Sequence, residues 1–227
     1  MKIIILIIAQ KKQPYIELEA ACRNTWASVN HPDIQILYLH AQPNVISHID
    51  NDELIVNGEE GLYNIGYKTI KAFEYCLNNL EFDYIYRTNL SSYVDQVGLY
   101  KYANTCPLDD VYNGVIGNYN DISFASGSGY LISKNLVKYT VTNKNEWNHI
   151  DFIDDVSLAK VLKSNNISPT YVNRIDILDD NALTSFDTST IQDCFHFRCK
   201  SETDRQHDIK VMNMLYYNFF INHYKEK

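Results

Sequence analysis

The sequence predicts an α/β fold: one mixed, mostly parallel sheet flanked by helices. Three observations carry this. Ile3-Ile4-Ile5-Leu6-Ile7-Ile8 is an unbroken branched apolar run, the signature of a strand buried on both faces. Strand-like and helix-like stretches then alternate, as they do when helices cover both sides of a parallel sheet. No internal repeat, low-complexity tract or Pro/Gly-rich linker interrupts the 227 residues, so a single domain over residues 1–227 is expected.

The elements follow in order. Residues 14–29 have helical composition and stop ahead of His31-Pro32, and Ile34-Gln35-Ile36-Leu37-Tyr38-Leu39 reads as a second strand. Asp50-Asn51-Asp52 precedes a short strand, Leu54-Ile55-Val56, and has the composition of a surface turn. Leu62, Ile65, Thr69, Ile70, Phe73 and Leu77 recur at helical spacing and are expected on one buried face. That helix hands over to a strand, Phe82-Asp83-Tyr84-Ile85-Tyr86. A helix to Tyr102, a strand over residues 111–116 and an extended stretch over residues 123–132 come next. Residues 154–163 read as a helix with acidic residues in its first turn, where the helix dipole favours them, and with Val156, Ala159 and Leu162 inward. Phe195-His196-Phe197-Arg198-Cys199-Lys200 alternates as a strand would, sending His196, Arg198 and Lys200 to one side. A last helix spans residues 208–224 with Ile209, Met212, Leu215, Tyr216 and Phe219 on one stripe.

Composition narrows the function. Lys and Arg number 20 against 28 Asp and Glu, a formal net charge of -8, which argues against nucleic acid or an anionic membrane surface as the main partner. An anionic ligand would need a local basic patch. Eighteen Tyr against two Trp supply rings with an apolar face and a hydroxyl, suited to sugar contacts as well as to core edges. Five cysteines without a Cys-x-x-Cys pair fit free thiols in a reducing compartment. The apolar start of the chain is too short for a secretion signal and reads as a strand, and no segment reaches the ~18 apolar residues of a membrane span.

Five short segments carry a more specific signal. They are Ala21-Cys22-Arg23-Asn24-Thr25-Trp26; Glu60-Gly61-Leu62-Tyr63-Asn64-Ile65-Gly66-Tyr67-Lys68-Thr69; the stretch from Phe82 to Asp95; Ser126-Gly127-Ser128-Gly129-Tyr130-Leu131-Ile132-Ser133; and Ile153-Asp154-Asp155-Val156-Ser157-Leu158-Ala159. Taken in this order over residues 23–159, the chain resembles the Fringe and β-1,3-galactosyltransferase superfamily of GT-A glycosyltransferases. The resemblance implies a Rossmann-like sheet, a nucleotide-sugar donor, most simply a UDP-sugar, a glycan hydroxyl as acceptor, and inverting transfer. One departure matters: the family's metal-binding acidic triplet falls on Asn89-Leu90-Ser91. Neutral oxygens suit Mg²⁺ or Mn²⁺ poorly, so little or no metal dependence is expected, with His196 the ligand if a cation is weakly held.

By the same resemblance, Asp155 beside Asp154 is the candidate base, a role that a carboxylate with a raised pKa would suit. An acidic pair favoured only by the helix dipole is the structural alternative. Donor binding falls to Ala9 at the end of the first strand, Arg23, Lys68, Arg87, Thr88, Asn89 and Ser91, with His196, Arg198 and Lys200 supporting the diphosphate. Lys68 has a competing reading as an ion-pair partner of Glu60 or Asp83, and the strand bearing His196 a competing reading as a solvated sheet edge. Gly127, Ser128 and Gly129 admit close backbone approach to a sugar, although a tight turn uses the same residues, and Trp147 offers a ring to an acceptor or a lid to the core. His31, His149 and the Asp179-Asp180 pair receive no role. A non-catalytic nucleotide-sugar or glycan binding protein is the alternative from another class. A nucleotidyltransferase is disfavoured because Ala9-Gln10-Lys11-Lys12 lacks a glycine-rich phosphate loop. A soluble, cytoplasmic protein of a bacterial or viral genome is expected.

Overall fold

Six consecutive branched residues leave β1 (Ile3–Ile8) no polar face to turn to water, and residues 3 to 7 are at most 1 % exposed. The computed structural model describes residues 1–147, 153–187, 189, 191 and 194–224, with side chains as far as 219. After β1 come α1 (Tyr15–Asn24), β2 (Ile34–Gln42), β3 (His48–Asp50), β4 (Glu53–Asn57), α2 (Ile65–Asn79), β5 (Tyr84–Asn89), β6 (Ser92–Val94) and α3 (Gln96–Ala103). The chain continues through β7 (Tyr112–Tyr119), β8 (Ile122–Ser133), α4 (Lys134–Thr142), α5 (Asp154–Lys163), β9 (Thr170–Tyr171), β10 (Ile175–Asp176), α6 (Asp180–Thr184), β11 (His196–Arg198) and α7 (Arg205–Tyr224). They fall into two compact units. One comprises Met1–Gln10, Asp33–Asn89 and Cys106–Val172; the other comprises Lys11–Pro32, Leu90–Thr105 and Asn173–Lys227.

The first unit holds an eight-stranded sheet in the order β3-β4-β2-β1-β5-β8-β7-β9. Its centre is parallel: β1 lies between β2 and β5, and β2 pairs with β4. Beyond β5 the sheet turns antiparallel through β8 and β7, with β9 rejoining in parallel, so the expected mixed, mostly parallel sheet is present. Helices α2, α4 and α5 pack on one another, and Ile70, Phe73, Leu136, Val137, Leu158 and Leu162 share one core with the strands. Asn51, at φ 55, makes the turn between β3 and β4, which accounts for the acidic cluster there. Leu62 departs from expectation. It sits in a 3-10 turn ahead of α2 and is 65 % exposed, because the helical stripe begins only at Ile65.

The antiparallel half contains the irregularity that shapes the site. Between the pairs Gly114↔Tyr130 and Ile116↔Ala125, β8 uses more residues than β7, so residues 126–129 bulge from the ladder. The Gly127-Ser128-Gly129 stretch is therefore part of a bulged strand and not a tight turn.

The second unit is built around a three-stranded sheet, β10-β11-β6. Strand β11 lies in the middle, parallel to β10 and antiparallel to β6, so the solvated-edge reading of residues 195–200 is replaced by an internal strand. Tyr93 stacks on Phe219 and both meet Phe197 edge-on, fastening α7 to the sheet. Asp95 caps α3 by accepting from the amides of Val97 (3.1 Å) and Gly98 (3.0 Å), and Asp179 caps α6 by accepting from Ala182 (2.8 Å). Burial pushes the Cys22 thiol, in this unit, and the Cys76 thiol, on α2, up to about 12, so neither is a nucleophile near neutral pH. Among the described residues no helix is long and apolar enough to cross a membrane.

Candidate active site

Parallel strands deliver their carboxyl ends to one sheet edge, where α/β proteins bind ligands, and β5 brings Arg87, Thr88 and Asn89 there. Arg87 is buried and its Nη2 donates to Asp154 Oδ2, an ion pair between the end of β5 and the first turn of α5. The guanidinium lies 5.8 Å from the centre of the Tyr130 ring. Its Nε, and the Tyr130 hydroxyl, are buried with no hydrogen-bond partner among the described residues. Removing one partner of such a pair costs about 3–5 kcal/mol, because the other charge is left stranded.

Asp155 sits next along α5 and is 7 % exposed. Its Oδ2 accepts from the Gly127 amide at 2.8 Å, the N–H that the β8 bulge frees from the ladder, and its Oδ1 accepts from the Val156 amide at 2.9 Å. A Cβ at position 127 would stand 2.8 Å from Arg87 Nη1 and 3.2 Å from Asp155 Oδ2. A side chain there would require the guanidinium to shift away from its present place beside the carboxylate. Thr88 Oγ1 donates to the Ser128 carbonyl at 2.7 Å, and the Ser128 and Ser126 hydroxyls are 3.1 Å apart. Gly129 pairs with Thr88 across the sheet. The structure thus brings together Arg87, Thr88, Gly127, Ser128, Gly129, Asp154 and Asp155, drawn from three separate stretches of sequence. The raised carboxyl is that of Asp154: burial lifts it, Arg87 opposes the lift and the neighbouring Asp155 charge adds to it.

Lys68 serves the same edge differently. Its ammonium donates to the Ala9 carbonyl at 2.7 Å, the Leu39 carbonyl at 3.4 Å and Glu60 Oε2 at 2.7 Å, which accounts for all three N–H groups. Glu60 Oε1 accepts from the Ala41 amide at 2.7 Å. This ion pair with Glu60, and not one with Asp83, ties the ends of β1 and β2. Burial lowers the Lys68 pKa, and Glu60 works against the drop. Trp147 is 4 % exposed and belongs to the core cluster, so its ring packs as a lid and presents no open face to an acceptor. His149 lies outside the described residues.

The remaining candidates stand in the second unit. Arg23 pairs with Glu19 one turn back on α1, at 2.9 Å. His196 is buried with Nε2 3.3 Å from Ser92 Oγ. The Arg198 Cα faces that of Ser92, and the Cys199 amide donates to the Ser91 carbonyl at 2.8 Å. The side chains of Arg198 and Lys200 are half-buried and have no partner among the described residues. Ser91 Oγ accepts from Arg205 Nη2. Arg205 escaped the sequence reading: it is 114 residues from Ser91, and no local pattern announces the contact.

No protein-family model matches the chain, and no curated protein is close enough in sequence to match. Solved structures do match. A galactosyltransferase, LgtC, in complex with donor and acceptor sugar analogues superposes with a TM-score of 0.53 at 11% identity over 95% of each chain. A glycosyltransferase involved in glycosylation of the major capsid of PBCV-1 gives 0.51 at 13% identity, covering 94% of this chain and 100% of the other. The glycosyltransferase GlyE of Streptococcus pneumoniae gives 0.51 at 11% identity, covering 97% of this chain and 64% of that one. The fold is GT-A. At these identities the likeness is one of architecture.

GT-A proteins often hold a divalent cation, and the turn that follows β5 tests whether this one is built for it. Asn89 and Ser91 offer neutral oxygens in place of carboxylates. The Ser91 oxygen already faces a guanidinium, which would repel a metal ion placed on the same atom. These residues do not fit a Mg²⁺ or Mn²⁺ site.

Proposed function

We propose that this chain, residues 1–227 acting as one domain, is an inverting glycosyltransferase of the Fringe-like kind. It moves a sugar from a nucleotide-sugar, most simply a UDP-sugar, to a hydroxyl of a glycan. The observation that carries the reading is the buried Asp155 carboxylate, fixed by the Gly127 and Val156 amides beside the Arg87–Asp154 pair at the carboxyl edge of the sheet. In this reading Asp155 takes the acceptor's proton as its oxygen bonds to the sugar's anomeric carbon. The bond to the diphosphate breaks, and its electron pair leaves with the phosphate oxygen. Asp154 and Arg87 position Asp155, Thr88 and Asn89 serve the donor, and Ser128 with the glycine backbone of β8 serves the transferred sugar. Lys68 and Ala9 keep the strand ends in place for the nucleotide. The charge of the leaving group is assigned to Arg198 and Lys200, with His196, Ser91 and Arg23 as further donor contacts.

Incubation with a panel of UDP- and GDP-sugars and glycan acceptors, read by NMR of the product anomer, tests this. Transfer with inversion is the expected result; retention removes the displacement by an Asp155-activated acceptor, and binding without turnover leaves a sugar-nucleotide binding protein. Asp155→Asn is expected to lower transfer about 100-fold or more while donor affinity stays within about twofold. Unchanged transfer in that variant takes Asp155 out of the chemistry.

A further inference from the structure

The second unit contains a guanidinium held as though for a ligand. Arg205 Nε and Nη2 donate to Asp208 Oδ2 at 3.0 and 2.9 Å, Nη2 also donates to Ser91 Oγ, and the group stands 5.9 Å from the centre of the Tyr15 ring. Asp208 is fully buried and is itself fixed, accepting from the Ser201 amide at 2.8 Å. One edge of the fork is thereby locked. The two N–H groups of Nη1 have no partner among the described residues, and the side chain is 22 % exposed. A planar donor fixed on one side and open on the other is the arrangement that captures an oxyanion with little ordering cost.

Its neighbours select the class of anion. The Ser91-Ser92 dipeptide that Arg205 grips also lies alongside Arg198 and Cys199, with Lys200 following. Arg198 and Lys200 add cationic residues on the backbone paired with that dipeptide, while Asp204 and, through Gln206, Glu17 are the carboxylates beside Arg205 other than Asp208. Two open N–H groups on one guanidinium suit the adjacent oxygens of a pyrophosphoryl group. Asp176, in register with Arg198, is already paired with Arg174 at 2.8 Å. The amides at the start of α7 do not supply the site: Gln206 N donates to Asp204 Oδ1 at 2.9 Å and Asp204 N to Ser201 Oγ at 3.2 Å.

We propose that Arg205, seated on Ser91 and Asp208, is the fixed guanidinium of a pyrophosphoryl-binding site in the second unit. The proposal rests on the glycosyltransferase reading for the identity of the donor, but not for the anion it binds. Calorimetric titration of the whole protein with inorganic pyrophosphate, in EDTA, tests it without any transfer reaction. The wild type is expected to bind, Arg205→Gln to bind roughly tenfold or more weakly, Arg205→Lys to fall between, and Lys101→Gln, an exposed charge on α3, to match the wild type. Should Arg205→Gln unfold, Ser91→Ala gives the second test, since it frees the guanidinium without removing its charge and is expected to weaken binding about threefold. Absence of binding by the wild type, equal binding by Arg205→Gln, or an equal loss in Lys101→Gln overturns the proposal. Arg205-dependent pyrophosphate binding alongside no transfer from any sugar nucleotide defeats the glycosyltransferase reading and leaves this one standing.

Discussion

Asp154 shows how two opposing forces on one carboxylate can be separated. Burial raises its pKa and Arg87 lowers it, and the raise prevails. A group with a raised folded-state pKa lends stability that is whole below its unfolded value, ~3.9, and is lost as pH rises through the folded value. Urea unfolding of wild type and Asp154→Asn from about pH 4 to 7 should therefore show the wild type losing ground to the variant as pH rises. A wild type that gains ground instead would mean the ion pair outweighs burial. Gly127→Ala is expected to cost about 1–3 kcal/mol by thermal or urea melt, since its Cβ meets Arg87 Nη1 at 2.8 Å, and to lower transfer with it. Sequence alone placed Asp154, Asp155, Gly127 and Arg87 among the candidates, but not the bonds between them. Arg87 and Asp154 are 67 residues apart, and only the folded sheet with α5 packed on it makes them neighbours.

Elements were legible where local pattern and tertiary role agree. The branched run of β1, the stripe of α2 and the acidic start of α5 each declare themselves because the residues that favour the element also face the core. Helix α4 was hidden because Val137, Thr140, Val141 and Thr142 are poor helix formers, and it is packing of Leu136 and Val137 that holds it. Strands β9 and β10 are two residues long and exist only through their registers with β7 and β11, which no window of sequence contains. The tie between β1 and β2 is likewise non-local. Lys68→Ala should lower the unfolding free energy by about 3–5 kcal/mol, read from urea unfolding, as Glu60 and two strand-end carbonyls lose their common partner. Unchanged stability would make the ammonium a ligand group and not a structural one.

The molecule carries a formal net charge of -8, so an anionic ligand is favoured only near local cationic groups. Under the proposed reading side chains meet the diphosphate, so transfer is expected to survive EDTA to within about twofold and to fall as ionic strength rises, in assays run with and without Mn²⁺. Loss of activity in EDTA with recovery on Mn²⁺ would place cation ligands elsewhere in the chain. The two units share the chain in an interleaved way: it passes between them after Gln10, Pro32, Asn89, Thr105 and Val172. No single proteolytic nick and no single recombination joint can liberate either half as a contiguous piece. Exchanging either half for a ready-made module would take several chain joints at once.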